Sequence, residues 1–495
     1  MKNPKRKPER NPARLLHQTP GGPGRPSAAL PRVTGLSGIA LPACLGLLLP
    51  LVSGGQTASS AQKTTWLNAW LQNQSPAWQS WDIGGELRAR GEWFENAALA
   101  FPNRQFQARG VDNDETYLLT RQKFHVGYRS SWFQLYTELR NSNSTGEEAP
   151  GRPNEDRLDL QQAYVSLGDF RSFPLQLQVG RMEFVYGDER LIGRSDWGNV
   201  TRSFDAVRLR YQQSPAWLDA FVSRVVIREE GRFNPSNEKD HFWGLYGGVQ
   251  KLLPWQDLEV YFLGRNTDAP NRGSVSSRDI YTVGFRALSR KNALGAWDYA
   301  VEAVHQFGQL VQGGRKVDQD AWAASLQAGY TWKETWAGPR LALEYNFSTG
   351  DENPADGKSQ TLDNLFPTNH KHYGLMDVIG WRNLHNLAIR LQVKPAASLT
   401  VNLDYHLFWL ADTADFFYPQ AGSGRNGLGY GRNPAYDNFL GSELNLDASW
   451  SVTRWLNVRA GYGHFFAGDY LDQSKRALGG ATDADWAYLQ TTVVF

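Results

Sequence analysis

The sequence predicts an all-β fold, a closed antiparallel transmembrane barrel of eighteen strands behind an N-terminal leader. Three observations carry this reading. The final residues alternate, with Leu489, Thr491 and Val493 on one face and Gln490, Thr492 and Val494 on the other, and they end at Phe495. The mean hydropathy is −0.51 and 21% of residues are charged, yet 13% are aromatic, as a polar lumen ringed by aromatic girdles requires. Beyond the leader no apolar run reaches the roughly 18 residues that a spanning helix needs. A sheet in hydrocarbon must then satisfy its backbone groups by closing on itself.

The leader occupies residues 1–61. It holds a basic segment (Lys2 to Arg32), an apolar run from Ile39 to Val52, and Ser59-Ser60-Ala61 before Gln62, the order of an export signal. Residues 1–61 carry eight of the 52 basic side chains and one of the 50 acidic ones, so residues 62–495 hold 44 and 49 and a net charge of −5. Nucleic acid is therefore not an expected partner. Cys44, the only cysteine, leaves with the leader, and Leu41-Pro42-Ala43-Cys44 is a poor lipoprotein box because most of the apolar run follows it. Residues 62–495 contain no Pro/Ser-rich linker and read as one barrel domain.

Period-2 segments bounded by turn residues place nine strands at Trp81 to Trp93, Glu115 to Tyr128, Trp132 to Asn141, Arg157 to Leu167, Pro174 to Phe184, Phe204 to Gln212, Trp217 to Arg228, Phe242 to Leu252 and Asp257 to Asn266. Nine more follow at Asp279 to Leu288, Trp297 to Gln306, Ala321 to Trp332, Arg340 to Ser348, Leu384 to Lys394, Leu399 to Leu410, Leu440 to Trp450, Leu456 to Phe466 and Asp485 to Phe495. Connections alternate short (Leu253 to Gln256, Pro395 to Ser398) and long (Tyr186 to Ser203, Thr349 to Asn383). Short turns are expected in the periplasm and long loops outside.

Alternation assigns the faces. From Leu399, the set Leu399, Val401, Leu403, Tyr405, Leu407 and Trp409 faces lipid, and Thr400, Asn402, Asp404 and His406 face the lumen. The same rule sends Arg88, Arg90, Arg121, Lys123, Arg140, Arg208, Arg210, Arg286, Arg390 and Arg459 inward. Arg181 would face lipid on strict alternation, so a bulge near Gly180, or a rim position, is expected to turn it and Glu183 inward. Guanidinium forks suit carboxylates, and several of them along a pore pass an anion from site to site. The competing reading is equally physical: Asp82, Glu86, Glu92, Glu138, Glu302, Glu344, Asp404 and Glu443 also point inward, and the arginines can pair with them to brace the wall.

Two stretches resemble the bacterial alginate export family. One is Val179-Gly180-Arg181-Met182-Glu183 with Tyr186-Gly187-Asp188-Glu189-Arg190-Leu191-Ile192-Gly193, Ser195-Asp196-Trp197 and Arg202-Ser203-Phe204-Asp205-Ala206-Val207-Arg208. The other runs from Tyr345-Asn346 through Gly350-Asp351, Asn353-Pro354, Asn364-Leu365-Phe366-Pro367-Thr368-Asn369-His370 and Tyr373-Gly374 to Gly380-Trp381-Arg382-Asn383. The resemblance implies an eighteen-stranded barrel in the Gram-negative outer membrane, with an arginine-lined lumen that carries an anionic polyuronate outward by passive passage. It implies no cofactor.

Other candidate sites are weaker. Asp356-Gly357-Lys358-Ser359 lacks the first glycine of a phosphate loop, since position 352 is Glu352. Asp351, Asn353 and Asp356 offer oxygen ligands for Ca²⁺, but Ala355 breaks the EF-hand spacing. His370, His372 and His385 find no completing cysteine or acid. No His-Glu-x-x-His or Gly-x-Ser-x-Gly occurs, so an enzyme is not expected. The expectation is a monomeric channel, in contact with outer-membrane lipid and assembled through Phe495, that passes an anionic polysaccharide or, alternatively, takes up small acidic sugars and other anions.

Overall fold

A computed structural model describes residues 65–96, 114–148, 152–229, 231–269, 276–420 and 431–495. The leader, residues 1–61, lies outside the described residues. Eighteen antiparallel strands form the wall: β1 (Trp81–Glu95), β2 (Glu115–Arg129), β3 (Phe133–Thr145), β4 (Asp156–Leu167), β5 (Leu175–Met182), β6 (Phe204–Gln213), β7 (Ala216–Val226), β8 (Ser236–Leu253) and β9 (Gln256–Thr267). The wall continues with β10 (Arg278–Ser289), β11 (Trp297–Gln312), β12 (Arg315–Thr331), β13 (Arg340–Ser348), β14 (Leu384–Ala396), β15 (Leu399–Trp409), β16 (Phe439–Ser451), β17 (Leu456–Ala467) and β18 (Ala484–Val494). A two-residue strand, Lys358–Ser359, pairs parallel with β12 and belongs to a loop.

The barrel closes where β18 pairs with β1, from Glu86 opposite Val494 to Glu95 opposite Asp485. Phe495 adds reciprocal backbone bonds with Gly85 at 2.9 and 3.0 Å. A side chain at position 85 would lie 2.6 Å from the Phe495 ring, so this glycine makes room for the terminal aromatic. Closure thus begins at Gly85 and not at Trp81. The amide of Ile83, beyond the reach of β18, donates instead to Asn68 Oδ1 at 2.7 Å. Asn68 sits on a helix, α1 (Trp66–Gln74), which covers part of the free edge.

Outward-facing positions are apolar. Leu87, Phe124, Leu177, Val222, Val260, Phe285, Leu343 and Leu446 are all exposed, the reverse of a water-soluble sheet. At the end with the short turns lie the exposed aromatics Trp132, Phe173, Trp255, Trp297, Trp332, Trp336, Trp450 and Trp455. This girdle marks one membrane boundary. Turns 254–255, 397–398 and 452–455 are short, and the loops 183–203, 349–383 and 410–438 at the other end are long.

Of the two alternatives for Arg181, the rim position holds and the bulge near Gly180 does not. Pairing runs unbroken through Gly180, with Tyr164 opposite Gly180 and Ala163 opposite Arg181. The irregularity is in the neighbouring strand, where Glu138 faces Gln162 and Leu139 faces Leu160, leaving Gln161 as the extra residue. Arg181 is instead turned by its place at the rim, near the end of β5, where it meets Asp205 at 2.8 Å and the Asn234 carbonyl at 2.8 Å. One expectation needs correction: the loops 183–203 and 349–383 fold back into the lumen. They join through a parallel bridge between Ile192 and Phe366. Around them Phe184, Phe204, Phe221, Phe242 and Phe366 pack at centroid distances of 4.8 to 5.9 Å, so an aromatic cluster joins the inward loops to β6, β7 and β8.

Candidate functional site

The internal loops are fastened to the wall by arginines. Arg202 donates to the carbonyls of Gly193 at 2.8 Å, Phe366 at 2.6 Å and Pro367 at 3.0 Å, clamping one loop to the other. Arg190, on the first loop, reaches Glu344 of β13 at 2.8 Å. Trp197 lies between Arg90, whose guanidinium is 3.7 Å above one ring face, and His370, stacked at 3.9 Å. One side chain therefore joins the first loop, the second loop and β1, with the cation held over the ring's negative face. At Gly374, φ is +85° and a Cβ would fall 2.5 Å from the Glu443 carboxylate, so only glycine permits the second loop to approach β16 this closely.

The sequence-predicted cations divide by partner. Arg88 donates to the carbonyls of Asp196 and Gly198, each at 2.9 Å. Arg90 meets Glu92 at 2.7 Å, and Arg121 meets Glu86 at 2.7 Å and Asp196 at 3.0 Å. Lys123 lies 3.6 Å from Glu138 and 3.8 Å from Glu183. Arg140 is fully buried against Asp156 and Asp159. Arg210 forks onto Asp219 with two bonds of 2.6 Å, and Arg208 approaches the same carboxylate at 3.8 Å. Arg286 pairs with Glu259 at 3.4 Å. Arg390 bridges Glu344 and Asp404, both at 2.9 Å, and Arg459 forks onto Asp447 at 3.0 and 3.1 Å. Most of these side chains thus pair with wall carboxylates, while Arg88, Arg121, Arg140 and Arg181 also donate to carbonyls outside the strands.

Arg88, Arg390 and Arg459 also face open space. Between the internal loops and the wall of β13 to β18 and β1 lies a cavity of about 490 Å³. Its charged lining is Arg88, Arg340, Lys371, Arg390 and Arg459 against Asp196, Asp404 and Asp447, a formal excess of two positive charges. The carboxamides of Gln392, Asn402, Asn445 and Gln490 stand among them, with His370, His406 and Trp197. Such a lining can hold a carboxylate and donate to or accept from hydroxyls. Arg340 and Lys371 were not among the predicted positions. Arg340 opens its strand next to a turn, and Lys371 belongs to a loop expected outside, so face alternation could not find either. The His370-His372 pair serves structural ends: His370 Nδ1 is 2.9 Å from Asp377, and His372 Nε2 is 2.7 Å from the Asp188 carbonyl.

A closed eighteen-stranded wall, apolar outside and charged within, with loops folded into its lumen, defines an outer-membrane channel. Residues 79–482 match the alginate export family, and the chain belongs to it. Solved Pseudomonas aeruginosa structures share the fold. The outer membrane protein OpdK aligns with a TM-score of 0.53 and 11% identity over 84% of this chain and 99% of its own. OpdQ aligns with a TM-score of 0.52 and 11% identity over 84% and 97%, and OccK9 (OpdG) with 0.52 and 13% over 84% and 98%. No curated protein matches the chain. The protein therefore belongs in the Gram-negative outer membrane, in a family and fold of channels.

Proposed function

We propose that this channel passes an anionic polysaccharide, alginate or a related polyuronate, outward across the outer membrane by passive flux. The carrying observation is the cavity beside the inward loops, where five cations outnumber three acids among four carboxamides. A polyuronate offers one carboxylate and free hydroxyls on every residue, the two groups this lining is equipped to meet. Arg88, Arg390 and Arg459 bind it directly in this reading, while Arg90, Arg121, Lys123, Arg140, Arg181, Arg208, Arg210 and Arg286 hold the wall and set the field. The protein acts as a monomer, inserted by the barrel assembly machinery through the strand that ends at Phe495.

The constriction itself favours a second reading. Two loops packed into the lumen leave a cavity of about 490 Å³, a volume suited to one small acid as well as to a segment of polymer. One of the solved structures sharing the fold is OpdK with vanillate, a small carboxylate. Liposomes carrying purified protein separate the two, with efflux of oligouronate, neutral glucan and small organic acids measured side by side. Efflux of long uronate chains supports polymer passage. Efflux confined to small acids replaces it with uptake of acidic solutes.

A further inference from the structure

The lipid-facing side of the outer rim is not uniform in charge. Glu95 on β1, Asp279 on β10, Asp320 on β12 and Asp485 on β18 take outward positions there, in step with the exposed Trp93, Val283, Trp322 and Leu489. On β7 and β8 the same level is basic. Leu218, Ala220, Val222 and Arg224 follow one another along the outward face of β7, and Arg224 stands directly opposite His241 of β8, with Lys239 two positions further along. All three basic side chains are exposed, and none has an acid or a hydrogen-bonding partner among the described residues. Their neighbours are already engaged. Asp205, opposite Arg224 on β6, accepts from Arg181 at 2.8 and 3.0 Å, and Asn266, opposite His241 on β9, accepts from the Trp243 indole at 2.9 Å. Arg224 lies nine residues past Pro215 in the short turn. At about 3.4 Å per residue on a strand tilted by about 40°, it stands roughly 23 Å up, near the top of an apolar band about 25 Å tall.

A guanidinium and an ammonium on the lipid side of the wall, with no carboxylate supplied by the protein, take their anion from the membrane. We propose that Arg224, Lys239 and His241 form a docking site for a phosphorylated acyl glycolipid of the outer leaflet. Cβ atoms of directly opposed residues lie about 5 Å apart, and alternate residues of one strand about 6.8 Å apart, so the three side chains converge on one phosphate. The guanidinium fork meets two of its oxygens, and the ammonium and the ring N–H meet the others. Charge selects the headgroup, and the wall below selects the tail: Val222 and Leu245 lie beneath the basic group on the lipid face, both exposed, where an acyl chain covers them. A soluble phosphate gains the first contact and not the second. The acidic sectors at Glu95 and Asp320 repel the same headgroup, which confines the lipid to one side of the barrel.

Native mass spectrometry of the full folded chain, released from detergent with lipid A added, tests this. A saturable adduct is expected, weakened roughly tenfold or more when Arg224→Gln and Lys239→Gln are combined and unchanged by Asp320→Asn on the acidic side. Lipid A stripped of its phosphates should bind the wild type as weakly as intact lipid A binds the double variant, and excess inorganic phosphate should not displace the adduct. Equal binding of lipid A by the wild type and the folded double variant overturns the assignment. Full displacement by inorganic phosphate overturns it as well, since the site would then hold an anion without its tail. Should the double variant not fold, the two lipids compared on the wild type decide, and equal binding of the intact and the stripped lipid overturns the proposal.

Discussion

Replacing Lys371 and Arg459 together by Gln removes two cations from the cavity lining and takes its formal charge from +2 to zero. At about 6 Å in a water-like medium a unit charge is worth about 0.7 kcal/mol to a passing monovalent ion, and about 2.8 kcal/mol at an effective dielectric of 20. The sign reverses between anion and cation. In the water-like medium each charge removed therefore costs about 1.4 kcal/mol of discrimination, close to tenfold, and the pair of substitutions about a hundredfold before screening. The wall should tolerate the change, because Asp447 still receives the Asn402 amide at 3.2 Å and the Tyr488 hydroxyl, and Lys371 is half exposed. Reversal potentials in planar bilayers under a salt gradient give the anion-to-cation permeability ratio. It should fall roughly ten- to a hundredfold at low salt and change little near 1 M, where the screening length is about 3 Å. A folded double variant with an unchanged ratio at low salt would show that the anion path does not run through this cavity.

Trp197→Ala should release the stack between Arg90 and His370, lowering the midpoint of thermal unfolding by an amount consistent with about 3 to 5 kcal/mol and raising single-channel conductance; unchanged conductance would mean that the loops do not set the aperture. A protease site within 352–358, which is exposed, should be cut on intact cells, whereas one within 362–370 or at 397–398 should not, and cleavage at 397–398 would invert the topology. Deleting Phe495 removes its two backbone bonds to Gly85 and should leave the protein in the periplasm or degraded, as fractionation and immunoblotting would show; normal outer-membrane yield would contradict an assembly role.

The wall was legible because lipid imposes one rule on every strand. From Leu399 the inward and outward sets fall where alternation puts them, with Asp404 against Arg390 inside and Leu403 exposed outside. Where strands leave the bilayer the rule lapses. β8 begins at Ser236 and β12 at Arg315, both six residues before the predicted starts, since Ser-Asn-Glu-Lys-Asp and Arg-Lys-Val-Asp-Gln-Asp are polar on both faces and carry no hydrophobic period. The infolding of the loops escaped for a different reason. Its contacts join positions more than 150 residues apart, Ile192 to Phe366 and Arg190 to Glu344, and nothing local marks them. A trace existed all the same: Leu191, Ile192, Phe366, Val378, Ile379 and Trp381 are too apolar for loops that stand in water, and all are buried.

The two inward loops are anchored to β1 through Arg88 and Arg90, to β9 through the 3.5 Å bond from Arg265 to the Leu365 carbonyl, and to β13 through Glu344. These strands stand in separate sectors of the ring, so the loops act as spokes that hold its cross-section against the lateral pressure of the bilayer. A hoop with spokes cannot widen by flattening or rounding. Permeation through such a channel is therefore set by the two inward loops together with the wall side chains that hold them in place.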